Sequence, residues 1–287
     1  MLQKAVQYRP NHAPSYNSLA NTLLELGKFD DAMKYYRKAV ELQPDYAEAW
    51  YNMGNAFHQE KQFEDALGSY RRAIAARSDY ADAYNNMGIT FGTLNRYSDA
   101  ISCYRKAIGI QPDSAGTYNN LGTVLTDLGQ YEDSLNCFRK ALAINPNYAE
   151  AYNNMGNLFR NFKTPGDAIA AYRKALEFNP EYISALNNLG LTLKEFGNSE
   201  EAAECYAKVL GITPEEPTAY SSYFYLLQQF CDWKMVEQQQ TELERMTRER
   251  IESKGLKLLK RHLKIPPVFL TRFTMSRSHS LGAMPCP

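Results

Sequence analysis

The chain has 287 residues, of which 44% are apolar and 13% aromatic, and its 32 basic and 32 acidic side chains give a net charge of zero. It contains no run of about 18 apolar residues, so we expect no membrane-spanning helix. The N-terminus lacks the charged and apolar regions of a secretory signal peptide, which predicts a cytoplasmic or nuclear protein.

From the N-terminus onward, most of the sequence repeats at intervals of 34 residues. The pattern resembles the tetratricopeptide repeat, in which each unit is a helix-turn-helix. Three or more such units stack into a solenoid. The resemblance therefore implies an all-α fold, a right-handed superhelical α-solenoid of tetratricopeptide helix-turn-helix repeats. The rows that carry it are Tyr16, Trp50, Tyr84, Tyr118, Tyr152 and Leu186; Ala32, Ala66, Ala100, Ser134, Ala168 and Ala202; Tyr36, Tyr70, Tyr104, Phe138, Tyr172 and Tyr206; and Pro44, Pro112, Pro146, Pro180 and Pro214.

The repeat register predicts the domain boundaries. Residues 1–12 match the end of a second helix, because Ala5 and Pro10 fall at the positions of the repeat's alanine and proline. Residues 13–214 hold six repeats. Residues 215–265 are predicted to form a degenerate repeat and C-terminal capping helices, and residues 266–287 a disordered tail.

Residues 47–80 illustrate how one unit folds. Trp50, Met53, Gly54 and Phe57 share one face of a first helix. The turn that follows falls at Lys61-Gln62, and other units have glycine or asparagine there, which accept a left-handed conformation. In the fifth unit, Thr164-Pro165 predicts a capping residue followed by proline at the first position of the second helix. The recurring glycines on first helices, including Gly54, predict close packing against the tyrosine row of the second helices.

Charged residues on the second helices follow the helix dipole, with acidic pairs in the first turn and basic pairs further along. Because acids alternate with bases, their fields cancel, and we expect no nucleic-acid partner. The acidic pairs are Asp30-Asp31, Glu64-Asp65, Glu132-Asp133 and Glu200-Glu201, and the basic pairs are Arg37-Lys38, Arg71-Arg72, Arg105-Lys106, Arg139-Lys140 and Arg173-Lys174.

Cysteine and histidine show no metal-binding or catalytic spacing. Cys103, Cys137 and Cys205 occupy one repeat position, too far apart for disulfides, and are interpreted as small core residues of a protein in a reducing compartment. The four histidines are scattered. We therefore expect no metal, no cofactor and no catalytic residues in this chain.

Asparagine dominates the exposed positions of the first helices, although it is a poor helix former. A side-chain amide both donates and accepts hydrogen bonds, so a ladder of amides could hold the main chain of an extended peptide. The structural alternative is that one row bridges neighbouring helices. Two rows are candidates for peptide binding: Asn17, Asn85, Asn119, Asn153 and Asn187, and then Asn52, Asn86, Asn120, Asn154 and Asn188.

The recurring AYNNMG and AYNNLG segments, together with Cys231-Asp232-Trp233 after the last repeat, resemble the protein O-GlcNAc transferases. Members of that family glycosylate serine and threonine of intracellular proteins from UDP-GlcNAc. The resemblance implies that the second asparagine row holds substrate polypeptide. The sequence departs from the family because no catalytic segment is recognised, so we expect no sugar transfer by this chain alone.

Two alternatives stay open. The chain could be an assembly or adaptor scaffold unrelated to glycosylation, although chaperone-type repeats usually carry Lys and Arg where amides stand here. Self-association is a further possible partnership.

Residues 234–263 include a basic amphipathic stretch that is interpreted as a cap on the last repeat, with binding to anionic lipid or to a calmodulin-like groove as alternatives.

Overall fold

A computed structural model describes residues 10–229, and all of the regular structure in that range is helical. The prediction of an all-α solenoid is confirmed, because each first helix packs on the second helix that follows it. The helices are α1 (Ala13–Glu25), α2 (Phe29–Leu42), α3 (Ala47–Gln59), α4 (Phe63–Ala76), α5 (Ala81–Thr93), α6 (Tyr97–Ile110), α7 (Ala115–Asp127), α8 (Tyr131–Ile144), α9 (Ala149–Asn161), α10 (Pro165–Phe178), α11 (Ile183–Glu195), α12 (Ser199–Ile212) and α13 (Pro217–Gln229).

The described residues divide into two compact units, one ending at Pro180 and the other beginning at Glu181. In the first unit, α1 to α10 form five pairs, repeats 1 to 5, and each second helix packs on the first helix of the next repeat. The first helices of neighbouring repeats also contact one another, so they form a continuous surface. In the second unit, α11 and α12 form repeat 6, and α13 packs on α12. None of the helices between residues 10 and 229 has the length and apolarity needed to cross a lipid bilayer.

Several predicted features lie outside the described residues. These are most of the N-terminal partial repeat, the Cys231-Asp232-Trp233 segment, the basic amphipathic stretch and the tail. The domain boundaries stay a prediction.

In repeats 2 to 6 the helix pair is closed by a glycine facing an aromatic ring, and in repeat 1 Ala20 stands at that position. A Cβ atom on Gly54 would lie 2.6 Å from Cε1 of Tyr70, and one on Gly156 would lie 2.5 Å from Cε1 of Tyr172. Real Cβ atoms do not approach other atoms so closely, so in repeats 2 to 5 the ring lies at a distance from the first helix that only glycine allows. The rings are at most 2% exposed in all six repeats. The predicted close approach is therefore confirmed.

The turn inside each repeat requires a left-handed residue. In all six repeats the residue after the first helix's C-cap has φ between 58° and 84°, and in two of them that residue is lysine, Lys61 or Lys163. A lysine there is strained relative to glycine. Its place in the turn was predicted by alignment with the glycines of the other repeats, since lysine itself gives no such signal.

Thr164 is the N-cap residue of α10 and Pro165 lies in its first turn, as predicted, but the expected side-chain cap does not form. The Thr164 side chain makes no capping bond to α10. Its hydroxyl instead donates to the Phe159 carbonyl at 3.2 Å, which belongs to the preceding helix. The backbone carbonyl of Thr164 still accepts from the Ala168 amide at 3.1 Å and so begins the helix.

The cysteines of the second helices are free thiols. Burial raises the pKa of Cys103 and of Cys137 to about 11. Because the thiolate is the reactive form, both thiols should react far more slowly in the native protein than a free cysteine of ordinary pKa. We expect iodoacetamide at pH 8 to leave both residues unmodified until urea is added, as measured by peptide mass mapping. Rapid native labelling of either residue would show that its thiol is accessible and that the helix-packing role is wrong.

Candidate functional site

The two asparagine rows lie side by side in the first helices, at the fifth and sixth residues of each helix. The first row is Asn17, Asn85, Asn119, Asn153 and Asn187, and the second row is Asn52, Asn86, Asn120, Asn154 and Asn188. Tyr51 stands at the first-row position of repeat 2, and Ser18 at the second-row position of repeat 1.

Hydrogen bonds between the rows join neighbouring repeats within the first unit. In each of these bonds, the second-row asparagine of one repeat donates from Nδ2 to Oδ1 of the first-row asparagine in the preceding repeat. The donor–acceptor distance is 3.2 Å for Asn52 to Asn17, 3.1 Å for Asn120 to Asn85 and 3.0 Å for Asn154 to Asn119. We call this set of bonds the amide ladder.

The ladder changes chemistry between repeats 2 and 3, where Tyr51 replaces the first-row asparagine. Asn86 donates from Nδ2 to the Tyr51 hydroxyl at 3.0 Å and to Asn55 Oδ1 at 2.9 Å. The Tyr51 ring lies 5.0 Å from the ring of Tyr80. The contact between these repeats therefore keeps its hydrogen bond and gains an aromatic pair.

Three of the four first-row asparagines in the first unit are more deeply buried than the second row, and the fourth, Asn85, is half-buried. Asn17, Asn119 and Asn153 are 3%, 1% and 4% exposed, whereas Asn52, Asn86, Asn120 and Asn154 are half-buried. Asn119 also donates to Glu150 Oε1 of the next repeat at 3.1 Å. The first row of the first unit thus contributes to contacts between repeats, and the second row faces the surface.

Hydrogen-bonding capacity also differs within the second row. Asn86 and Asn154 each use Nδ2 twice, and their Oδ1 atoms accept from the neighbouring first-row amide. Asn52 and Asn120 each donate one bond, and their Oδ1 atoms accept none within residues 10–229. These two residues therefore retain both a free donor and a free acceptor.

A third group of asparagines serves the helix pairs themselves, a role that the sequence interpretation missed. The hydroxyls of Tyr36, Tyr70 and Tyr172 donate to Oδ1 of Asn21, Asn55 and Asn157, at 2.5, 2.8 and 2.8 Å. A signal was present, because each tyrosine follows its asparagine by 15 residues. In repeat 4, where Thr123 replaces asparagine, the ring is Phe138 and has no hydroxyl.

An orphaned acceptor lies among the described residues of the second unit. Asn187 Oδ1 is buried and has no hydrogen-bond partner among the described residues. In the amide ladder the donor lies 35 residues after the acceptor, as Asn52 lies 35 residues after Asn17. The residue 35 positions after Asn187 is Ser222. A serine side chain is too short to replace the amide.

Ser222→Asn should therefore supply the missing donor. A buried unpaired acceptor destabilises a protein by about 1–3 kcal/mol, so we expect the substitution to raise the free energy of unfolding by about 1 kcal/mol. Urea denaturation followed by circular dichroism measures the change. Ser221→Asn, on the neighbouring exposed position, is the matched control and should give no gain. Equal effects of the two substitutions would contradict completion of the ladder.

No group of three His, Cys, Asp or Glu residues within residues 10–229 could hold a metal ion. His58 Nδ1 lies 2.9 Å from Thr90 Oγ1, whose hydrogen is donated to the Asn86 carbonyl, so the imidazole is the donor. Burial lowers the pKa of His58, which favours this neutral form.

The fold and the ladder define a class of protein, a helical repeat array with a polar first-helix surface. Four repeat-family models match the sequence. One, described as "TPR repeat", matches residues 20–60, 122–161 and 166–197. Three described as "Tetratricopeptide repeat" match residues 45–113, 1–34 and 183–216. Together they match more than half of the chain, which therefore belongs to the tetratricopeptide-repeat family. A comparison with curated protein sequences found no match.

Solved structures share the fold at low sequence identity. The chain is similar to a chain in the crystal structure of the APC/C hetero-tetramer Cut9–Hcn1. The TM-score is 0.67 and the identity 20%, over 79% of this chain and 45% of that chain. It is also similar to PilW, a type IV pilus biogenesis factor, with a TM-score of 0.66 and 20% identity over 73% and 97% of the chains. For PilF of Pseudomonas aeruginosa the TM-score is 0.62 and the identity 23%, over 77% of this chain and 96% of PilF. Identities this low indicate a shared fold alone.

Proposed function

We propose that the first-helix surface binds the main chain of an extended polypeptide, with Asn52 and Asn120 as its principal contacts. The observation that carries this proposal is their free hydrogen-bonding capacity. Each keeps an unused Nδ2 hydrogen and an unused Oδ1 on a half-buried surface. A peptide group presents one N–H and one C=O, which one such amide can pair with whatever the neighbouring side chains are.

Spacing supports an extended ligand. Packed helices lie about 8–10 Å apart, so two repeats separate Asn52 from Asn120 by about 16–20 Å. An extended chain advances about 3.3 Å per residue and would pass both amides within about six residues. Asn86 lies between them with its amide already committed to Tyr51 and Asn55, so it has no free donor for a ligand.

The test compares two pairs of substitutions in the same row. Asn52→Ala/Asn120→Ala should weaken binding of a labelled, unstructured 20-residue peptide by about tenfold or more, because each lost hydrogen bond contributes about 0.5–1.5 kcal/mol. Asn86→Ala/Asn154→Ala is the matched control and should change affinity much less. A peptide N-methylated at alternate residues should bind the wild type weakly. Equal losses for the two variants, or tight binding of the N-methylated peptide, would overturn main-chain recognition.

We further propose that the bound polypeptide is an intracellular substrate presented for O-GlcNAc transfer. The asparagine-rich first helices and the Cys231-Asp232-Trp233 segment support this through their resemblance to that family. The cytoplasm or nucleus would then be its compartment. The scaffold typical of tetratricopeptide repeats equally suits the alternative, an adaptor unrelated to glycosylation.

A competition assay distinguishes the two. The chain is added to an active protein O-GlcNAc transferase with UDP-GlcNAc and a full-length protein substrate. A substrate-holding array should slow sugar transfer by sequestering the substrate, and Asn52→Ala/Asn120→Ala should relieve this inhibition. An adaptor for other partners should leave the rate unchanged, which would overturn the glycosylation proposal while leaving peptide binding intact.

A further inference from the structure

The outer face of the second helices carries a basic pair in each of repeats 1 to 5, but the pairs differ in how they are neutralised. In repeats 1 and 5 the lysine of the pair bonds to a glutamate three residues later. Lys38 Nζ lies 3.1 Å from Glu41 Oε1, and Lys174 Nζ lies 2.7 Å from Glu177 Oε2. In repeats 2, 3 and 4 the position of that glutamate is held by Ala75, Gly109 and Ala143.

Six exposed cations in repeats 2 to 4 consequently form no ion pair within residues 10–229. Two of them lie against aromatic rings instead, with the Arg72 guanidinium 5.8 Å from the Trp50 ring centroid and Lys140 Nζ 5.4 Å from that of Tyr118. A ring orients a cation without cancelling its charge. We call these six residues the basic strip: Arg71, Arg72, Arg105, Lys106, Arg139 and Lys140.

Acidic residues at the start of the same helices are partly neutralised. Arg96 lies 2.8 Å from Asp99 Oδ2 and 3.8 Å from Glu64 Oε1, and so bridges repeats 2 and 3. Two helical turns, about 10 Å, separate this acidic end from the basic strip. That distance is close to the screening length at physiological salt, so the strip keeps a local positive potential.

Two grooves adjoin the strip. One, of about 660 Å³, is lined by Arg105, Arg139 and Lys140 together with the apolar side chains of Ile108, Leu121 and Leu125. The other, of about 590 Å³, is lined by Arg105 and Lys106 together with Ile101 and Ile110. Small residues, Ser98, Ser102 and Gly109, keep this second groove open along α6.

We propose that the basic strip and its two grooves bind an acidic peptide segment that also carries aliphatic side chains. Carboxylates of the segment pair with Arg105, Lys106, Arg139 and Lys140, and its aliphatic groups lie on the apolar lining between them. Such a ligand supplies the carboxylates that repeats 1 and 5 provide from their own glutamates. Nucleic acid fits less well, because it has no aliphatic side chains to cover Ile108, Leu121 and Leu125 in the larger groove.

The test uses a labelled 18-residue peptide of glutamate and leucine in an amphipathic helical pattern, titrated with the full chain. Replacing Arg105, Lys106, Arg139 and Lys140 with glutamine should weaken binding at least tenfold. Lys38→Gln/Lys174→Gln removes cations that are already paired and should have little effect. Binding should also weaken as salt rises. Asn52→Ala/Asn120→Ala should bind the acidic peptide normally, which separates this site from the amide ladder.

Several outcomes would overturn the proposal. One is an equal loss in the Lys38→Gln/Lys174→Gln control. Another is displacement of the peptide by a similarly charged oligothymidine at lower concentration, which would assign the strip to nucleic acid. A third is that the wild type does not bind the peptide and sediments as a dimer, whereas the glutamine variant sediments as a monomer. That result would assign the strip to self-association. Circular dichroism of each variant establishes that it is folded.

Discussion

Gly54→Ala is expected to lower the free energy of unfolding by about 1–3 kcal/mol, whereas Gly68→Ala is expected to raise it by about 0.5–1 kcal/mol. The two glycines lie in the two helices of repeat 2, and the chemical change is the same, one added methyl group. The opposite signs follow from the surroundings of the added Cβ atom.

At Gly54 the new atom would lie 2.6 Å from Cε1 and 2.7 Å from Cδ1 of Tyr70. That ring is 1% exposed and its hydroxyl donates to Asn55 at 2.8 Å, so it cannot move away without losing a buried contact and a hydrogen bond. At Gly68 no side chain or distant backbone atom lies within 4 Å of the new atom. Alanine there only stiffens the unfolded chain and improves helix propensity.

Urea denaturation of the two variants, monitored by circular dichroism, measures both changes. Gly190→Ala provides a graded comparison, because its Cβ atom would lie 3.0 Å from Tyr206 and should be less disruptive. A Gly54→Ala protein as stable as the wild type would mean that the ring relaxes freely. A destabilised Gly68→Ala protein would mean that the outer face of α4 is covered in solution.

The close approach of Gly54 to Tyr70 could be predicted from the sequence because both residues recur with the same period. Repetition placed Lys61 in a left-handed turn in the same way. The N-cap position of Thr164 was predicted correctly but its side-chain bond was not, since the residue type alone does not determine which backbone group a hydroxyl reaches. Its oxygen lies closer to the carbonyl of Phe159, at the end of the preceding helix, and donates there.

The division of labour between the asparagine rows could not be read from the sequence. Adjacent residues such as Asn119 and Asn120 have the same type and the same helix propensity. Their roles differ because successive residues of a helix point about 100° apart, so that one enters the contact between repeats and the other faces the surface. Peptide binding by either row stays a prediction, and the structure supplies the means to test the rows separately.

Asn119→Ala is expected to lower the free energy of unfolding by about 1–3 kcal/mol. The side chain is 1% exposed, accepts from Asn154 at 3.0 Å and donates to Glu150 at 3.1 Å. Alanine removes both bonds and leaves a small cavity at the contact between repeats 4 and 5. The better helix propensity of alanine offsets only about 0.5 kcal/mol of this loss.

Asn120→Ala is the matched control, one residue away in the same helix. It removes a single bond to Asn85, and both partners are half-buried, so water can replace the lost contact. With the same gain in helix propensity, we expect a change in the free energy of unfolding of less than about 1 kcal/mol. The proposed function predicts the opposite order for affinity, with Asn120→Ala weakening peptide binding more than Asn119→Ala.

A double-mutant cycle with Asn154→Ala tests whether the ladder is energetically coupled. If the bond between Asn154 and Asn119 stabilises the array, the double variant should be more stable than the sum of the two single effects predicts, by about 0.5–1.5 kcal/mol. The reason is that removing both partners leaves no buried group unpaired. Strict additivity would show that the two amides contribute independently, and the stabilising role of the first row would then rest on packing alone.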